Sequence, residues 1–262
     1  MTIVNDTGVL ICGHGGREAE TMREFLALSA GIASRLPQFR VEHGLLEFAR
    51  PGIAESLEKL RRAGCKQILV IPGTLFSGGH AQRDVPAILR EFSEQFPYIE
   101  IRYGRAFDIH SDIIRAACER VRQTIAATPV SVAHENTALL VVGRGASEPA
   151  FLDSMQSIVQ LIQAEFKFSH ATIAYAGIAQ PSVAEALEQS GRASHGQVLV
   201  LPYFLFTGRL VQRLYDDVDA IAAKYPEKQF LKCPYLNNHP SVIDGFIGRI
   251  LEISRPGTMI HD

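Results

Sequence analysis

The sequence predicts an α/β protein built from two similar, doubly wound, four-stranded parallel lobes that arose by internal duplication. Three observations predict it. First, QILVIPGTLFSGGHAQR at 67–83 lies on QVLVLPYFLFTGRLVQR at 197–213, and nine of the seventeen positions are identical, where chance gives roughly one. Second, the same shift of 130 residues (197 minus 67) pairs VLICGHGG with LLVVGRGA, and Pro51 with Pro181 ahead of IAESLEKL and VAEALEQS. After one deletion it pairs His110 with His239, each opening a last helical pattern. Third, short apolar runs alternate with amphipathic stretches, which calls for parallel strands joined by helices that cover both sheet faces. A repeat this long is domain-sized, unlike solenoid units of about 20 to 50 residues. Lobes are therefore expected at 1–130 and 131–262, meeting in the polar connection TPVSVAHENT at 128–137.

VLICG at 9–13 is an apolar run stopped by glycine and predicts the first strand. REAETMREFLALSAGIASRL at 17–36 puts Phe25, Leu28, Ile32 and Leu36 at helical spacing. FRVEHGLLEF reads as the second strand, IAESLEKLRRAG as a helix stopped by Gly64, and KQILVIP as a fully buried third strand. DVPAILREFSEQF, IEIRYG and SDIIRAACERVRQTI complete the half as helix, strand and helix. The second half repeats the order, with right-handed crossovers expected throughout.

At 262 residues with 47% hydrophobic and 21% charged, the chain has ample material for a core. A net charge of −2 with interspersed signs excludes the electrostatic footprint of a nucleic-acid binder. The start, MTIVNDTGVLICGHGG, has no basic region followed by a long apolar run, and no window approaches the roughly 18 apolar residues of a membrane span. A cytoplasmic protein without membrane partners is expected. Cys12, Cys65, Cys118 and Cys233 are scattered without CxxC pairing, which argues for packing over metal clusters or disulfides.

In doubly wound sheets, ligands bind outside the carboxyl ends of the strands. There the first half carries His14 in GHGGRE, Glu47 in GLLEFARP and His80 in FSGGH, spaced 33 and 33 residues apart, one per β-α unit. Two imidazoles and a carboxylate suit a divalent first-row metal such as cobalt, iron or nickel, and make an open metal site. His43 reads as structural, His110 and His239 as caps or packing residues because both halves keep them, and His134 and His195 as loop residues. GHGGRE is neither GxGxxG nor GxxxxGK[ST], and no acidic residue stands where a ribose partner is needed, so a nucleotide site is disfavoured. The turn at Gly15 and Gly16 is better suited to a substrate carboxylate, with Arg17 as a bidentate partner.

These segments in this order, a strand ending in GHG, then LLEFARPGI, then VIPGTLFSGGHAQRD, resemble the class II chelatases, in particular the sirohydrochlorin cobaltochelatases and their iron- and nickel-inserting relatives. The resemblance spans both halves. It implies a chelatase-like bilobal fold with the tetrapyrrole between lobes, and ATP-independent insertion of a divalent metal into sirohydrochlorin. The metal is then a substrate, and no permanently bound cofactor is expected. The family's metal-binding histidines match His14 and His80, and its second-strand acidic residue matches Glu47. The usual GHGSR is GHGGR here, with Gly16 in place of serine.

Insertion needs a metal held by few exchangeable ligands and acceptors for two pyrrole protons, roles that His14, His80 and Glu47 can fill. Arg17, Arg50, Arg83, Arg144 and Arg209 are candidates for the substrate's carboxylates. Leu75, Phe76, Ser77 and Gly78, with Leu205 and Phe206 in the second copy, are candidates for contact with the ring. In the second half His14 becomes Arg144, Glu47 becomes Gly177 and His80 becomes Leu210, so one metal site per chain is expected. Cobalt, hence cobalamin synthesis, is the leading expectation. Iron insertion for sirohaem, or a non-catalytic tetrapyrrole or metal carrier, are the alternatives. Two fused lobes completing one cleft lead to the expectation of a monomer.

Overall fold

The computed structural model describes residues 6–16, 18–78, 81–130, 132–146 and 148–255. The first apolar run forms β1 (Thr7–Gly13), in which Val9, Leu10 and Ile11 are fully inaccessible. Successive side chains of a strand point to opposite faces, so such a run must be covered on both. On one face Leu10 and Cys12 join a core with Leu57 and Leu60 of α2 (Ile53–Arg62) and Leu89 and Phe92 of α3 (Ala81–Gln95). At the strand's end Phe25 of α1 (Ala19–Arg35) packs so closely on Gly13 that a Cβ there would lie 2.7 Å from its ring.

β1 pairs in parallel with β2 (Arg40–Leu45) on one side and β3 (Gln67–Pro72) on the other, and β3 pairs with β4 (Glu100–Tyr103), giving the order β2-β1-β3-β4. The second sheet repeats this as β6-β5-β7-β8, from β5 (Thr137–Gly143), β6 (His170–Tyr175), β7 (Gln197–Pro202) and β8 (Gln229–Lys232). Its helices α5 (Pro149–Phe166), α6 (Val183–Arg192) and α7 (Arg209–Lys224) follow the first half in order. The registers also agree: Gly13 faces Leu45 as Gly143 faces Tyr175, and Cys12 faces Pro72 as Val142 faces Pro202. The predicted duplicated α/β architecture is the observed one.

The last helix of each repeat is the exception. By packing, one unit comprises Met1–Asp108 with Val242–Asp262, and the other Ile109–Ser241. The repeat boundary expected at 130/131 therefore differs from the packing boundary: α4 (Ser111–Ala127) belongs to the unit of the second sheet and α8 (Pro240–Ser254) to that of the first. Side chains explain the assignment. Phe246 of α8 meets Phe107 edge-to-face at 4.8 Å, and Arg249 donates to the Phe107 carbonyl at 3.0 Å and to Glu252 at 2.7 Å. In the other unit α4 packs on β7 and α5, and Arg120 donates to the Leu236 carbonyl at 2.9 Å. Arg249 matches Arg120 and Leu236 matches Phe107 at one shift (249 minus 120 and 236 minus 107 are both 129), so one clamp is used twice. Periodicity reveals that a helix has an apolar face but not which sheet that face covers.

Both of these helices start as expected from their histidines: His110 Nδ1 accepts from the Asp112 amide and His239 Nδ1 from the Ser241 amide, each at 3.2 Å. All four cysteines are buried and free. Burial pushes the Cys118 thiol up to about 11 and Cys233 to about 12, which fits packing rather than metal binding. Among the described residues no helix is long and apolar enough to cross a membrane.

Arg249→Ala leaves the buried Phe107 carbonyl without its donor and should cost the first unit about 2 to 3 kcal/mol, read by hydrogen exchange of the β3 amides. Arg249→Met, which keeps most of the volume, should cost less. Unchanged protection in the alanine variant would remove the clamp from the account.

Candidate active site

In the order β2-β1-β3-β4 the chain leaves β1 towards one neighbour and returns on the other side, so the loops after β1 and β3 diverge at the carboxyl edge. His14 follows β1 directly and is exposed. Glu47 is exposed too, but it does not end a strand as FRVEHGLLEF suggested: β2 stops at Leu45. The reason lies in the backbone bonding. Leu45 N–H turns to the Pro51 carbonyl at 3.0 Å, while Leu46 N–H donates to Gly13 and Glu47 N–H to His14, both at 3.0 Å. Glu47 is thus pinned beside His14, one hydrogen bond from main chain to main chain. Gly15, at φ +90°, completes the arrangement, because a Cβ there would stand 1.9 Å from the Glu47 carbonyl oxygen.

The second copy keeps the frame, with Ala176 N–H on Gly143 at 2.9 Å and Tyr175 N–H on Pro181 at 3.0 Å. Its chemistry differs. Exposed Arg144 takes the place of His14, and a Cβ on Gly177 would come within 2.5 Å of the Arg144 carbonyl oxygen. The loop has closed over the space from which a glutamate side chain would start.

The loop after β3 begins with Gly73 N–H on the Cys12 carbonyl at 2.7 Å. Leu75 and Phe76 are half-buried, while Ser77 and Gly78 are exposed. Asp108, in the loop after β4, holds this segment: its amide donates to the Leu75 carbonyl at 2.7 Å, and its carboxylate takes the Ser77 amide at 3.3 Å and the Ser77 hydroxyl at 3.5 Å. The sequence reading passed over Asp108. A signal was present, since Asp108 matches Asn237 ahead of the paired His110 and His239, and both stand at φ +50°, a region that Asp and Asn enter more readily than most residues.

The other predicted residues divide. His80 and Arg17 lie outside the described residues. Gly16 is half-buried, and Arg83 and Arg144 are exposed. Arg50 is exposed and pairs with Glu55, whose other oxygen accepts the Gly52 amide at 2.9 Å. That pair orders the start of α2. Arg209, Leu205 and Phe206 belong to the second unit, where Leu205 is buried as core, Phe206 half-buried and Arg209 exposed. His43 packs edge-on to Phe25, its carbonyl accepts from Ser56 Oγ at 2.6 Å, and burial lowers its pKa, in keeping with a structural role. Among the described residues no group of three or more His, Cys, Asp or Glu side chains is placed to hold a metal. The pair His14 and Glu47 is what the described edge supplies.

Two copies of a four-stranded parallel sheet with the same strand order define a duplicated, chelatase-like α/β protein, with His14 and Glu47 on adjoining loops at the carboxyl edge of the first. The CbiX family model matches residues 8–124 and again 138–253, and the chain belongs to this family of class II chelatases. It is 30% identical over 234 residues to a sirohydrochlorin ferrochelatase of Priestia megaterium, covering 89% of this chain and 85% of the relative. A sirohydrochlorin cobaltochelatase of the same organism is 29% identical, covering 89% and 76%. The solved structure of SirB from Bacillus subtilis with Fe3+ superposes with a TM-score of 0.84 at 24% identity, over 94% of each chain, and supports the fold.

Asp108→Ala should speed exchange of the Ser77 amide by roughly fivefold to tenfold, the worth of one modest hydrogen bond, whereas Asp108→Asn, which keeps an acceptor, should stay near the parent. Equal exchange in all three proteins would show that Asp108 does not hold the loop.

Proposed function

We propose that the chain inserts a divalent metal into sirohydrochlorin without ATP. The observation that carries the reading is the backbone-locked pair of His14 and Glu47 at the switch point of one sheet, with Arg144 and Gly177 at the matching place of the other. Family membership and the two sirohydrochlorin chelatases it resembles support the substrate class. His14 and, from its place in the sequence, His80 hold the incoming metal as neutral imidazoles, with Glu47 as the carboxylate ligand. Metallation exchanges two pyrrole protons for one M2+. As the metal leaves for the ring, the imidazole and carboxylate lone pairs it frees take up those two protons and pass them to water, so each turnover restores the site. Few ligands serve this purpose, because the metal must leave for the ring. Arg144, exposed at the equivalent edge of the second copy, is suited to pair with a carboxylate rather than to hold a metal.

Cobalt is not favoured over iron. The ferrochelatase relative is matched over 85% of its length and the cobaltochelatase over 76%, at nearly equal identity. Iron, and with it sirohaem synthesis, is therefore the metal to test first, with cobalt as the second reading. Both share this N/O ligand set.

Absorbance changes of sirohydrochlorin with substoichiometric protein, under anaerobic Fe2+ and separately Co2+, test the reading. Many turnovers per chain are expected, with kcat/KM reduced on the order of 100-fold or more in His14→Ala and Glu47→Ala. A single stoichiometric change, or full activity in both variants, would point to a carrier or to another site.

A further inference from the structure

Phe48 follows Glu47 and is 57% exposed, which is unusual for a phenylalanine beside so polar an edge. Its backbone is unusual as well. The Ala49 amide donates back to the Glu47 carbonyl at 2.8 Å across Phe48, whose φ is +64°. A three-residue turn with positive φ at its centre is the rare, strained form of the γ-turn, and a bulky side chain makes it costlier. The loop is held on both sides, by Glu47 N–H on His14 and Leu45 N–H on Pro51, each at 3.0 Å. Strain of this kind persists where the surroundings over-determine it, and it collects at ligand sites. Here it turns a phenyl ring outward beside the residues that hold the metal.

The second copy provides an independent observation. At the matching position (48 plus 130) stands Ile178, which is 82% exposed. The metal-ligand types at positions 14, 47 and 80 have all changed in the second copy, yet an exposed large apolar side chain is kept at this one. An exposed apolar side chain kept at the same loop tip of each repeat, where the neighbouring chemistry is not kept, points to a role for this position apart from metal binding.

We propose that Phe48 is a substrate-binding residue whose ring packs on the conjugated surface of the tetrapyrrole next to Glu47. The inference rests on the proposed chelatase reading and adds the apolar contact to it. Charged groups on the rim of the macrocycle call for cations and N–H donors, but its π-surface calls for an aromatic partner, which Phe48 supplies. The γ-turn sets the ring and the Glu47 carboxylate on consecutive residues, so the contact that positions the macrocycle and the group that takes its protons share one fixed loop.

The test is a titration of metal-free sirohydrochlorin, followed by its fluorescence, into wild type, Phe48→Ala and Phe48→Tyr, with Co2+ affinity measured separately without tetrapyrrole. Phe48→Ala should bind sirohydrochlorin roughly fivefold to thirtyfold more weakly, with Co2+ affinity within about twofold of wild type. Phe48→Tyr should recover binding to within about twofold. Wild-type binding with unchanged affinity in Phe48→Ala would overturn this inference and leave the chelatase reading standing. A fall in Co2+ affinity matching the fall in sirohydrochlorin affinity would also overturn it, since Phe48 would then act through Glu47. Failure of the wild type to bind sirohydrochlorin would overturn both.

Discussion

Just past the last paired residues of β1 and β2, the Glu47 amide reaches back 3.0 Å to the His14 carbonyl, and Gly15 at φ +90° admits the Glu47 carbonyl where a Cβ would otherwise stand. The β1 and β2 loops are thereby joined at a fixed distance before any side chain is considered. Everything proposed for the site uses this junction. It fixes the main chains of a histidine and a glutamate next to each other, it is followed at once by the sharp turn at Phe48, and it stands at the same sheet edge as the loop after β3, held by Asp108. A short, constrained junction suits a site that must bind a metal without caging it, because rigidity then comes from the backbone rather than from a full set of ligands.

The duplication shows which parts of that design are frame and which are chemistry. Both copies keep the strand order, the register, the loop closed by Pro51 or Pro181, the capping histidine of the last helix, and the arginine that ties that helix to a loop carbonyl. Among the differences, those that bear on the chemistry fall at the carboxyl edge. The second copy exchanges the junction's glutamate for Gly177 and its histidine for Arg144, and the backbone has moved in to fill the space. The lobe without that histidine and glutamate keeps the same fold because the fold depends on other residues.

Much of this was legible in the sequence. Buried parallel strands are continuous apolar runs, so β1, β3, β5 and β7 announced themselves, and the repeat of LF, Gly and QR in two loops exposed the duplication at once. The place of His14 directly after β1 was legible from the glycine that stops the apolar run, whereas Glu47 lies two residues beyond the end of β2 rather than on it. Other features depend on contacts that no local pattern encodes. The end of β2 at Leu45 is set by hydrogen bonds to Gly13, His14 and Pro51. Arg50 was a free cation on paper and is a partner of Glu55 in space. The exchange of α4 and α8 between units follows from Phe246 and Arg249 finding Phe107, which is 142 residues from Arg249. The choice between iron and cobalt was not legible either, since one ligand set serves both metals.

The central claim is that one lobe alone carries the metal chemistry. Calorimetric titration of the metal-free protein with Co2+ tests it most directly, in wild type, His14→Ala and Arg144→Ala. The account predicts one binding equivalent per chain, weakened at least about tenfold by His14→Ala and retained in Arg144→Ala. Two equivalents per chain, or one equivalent indifferent to His14, would contradict it.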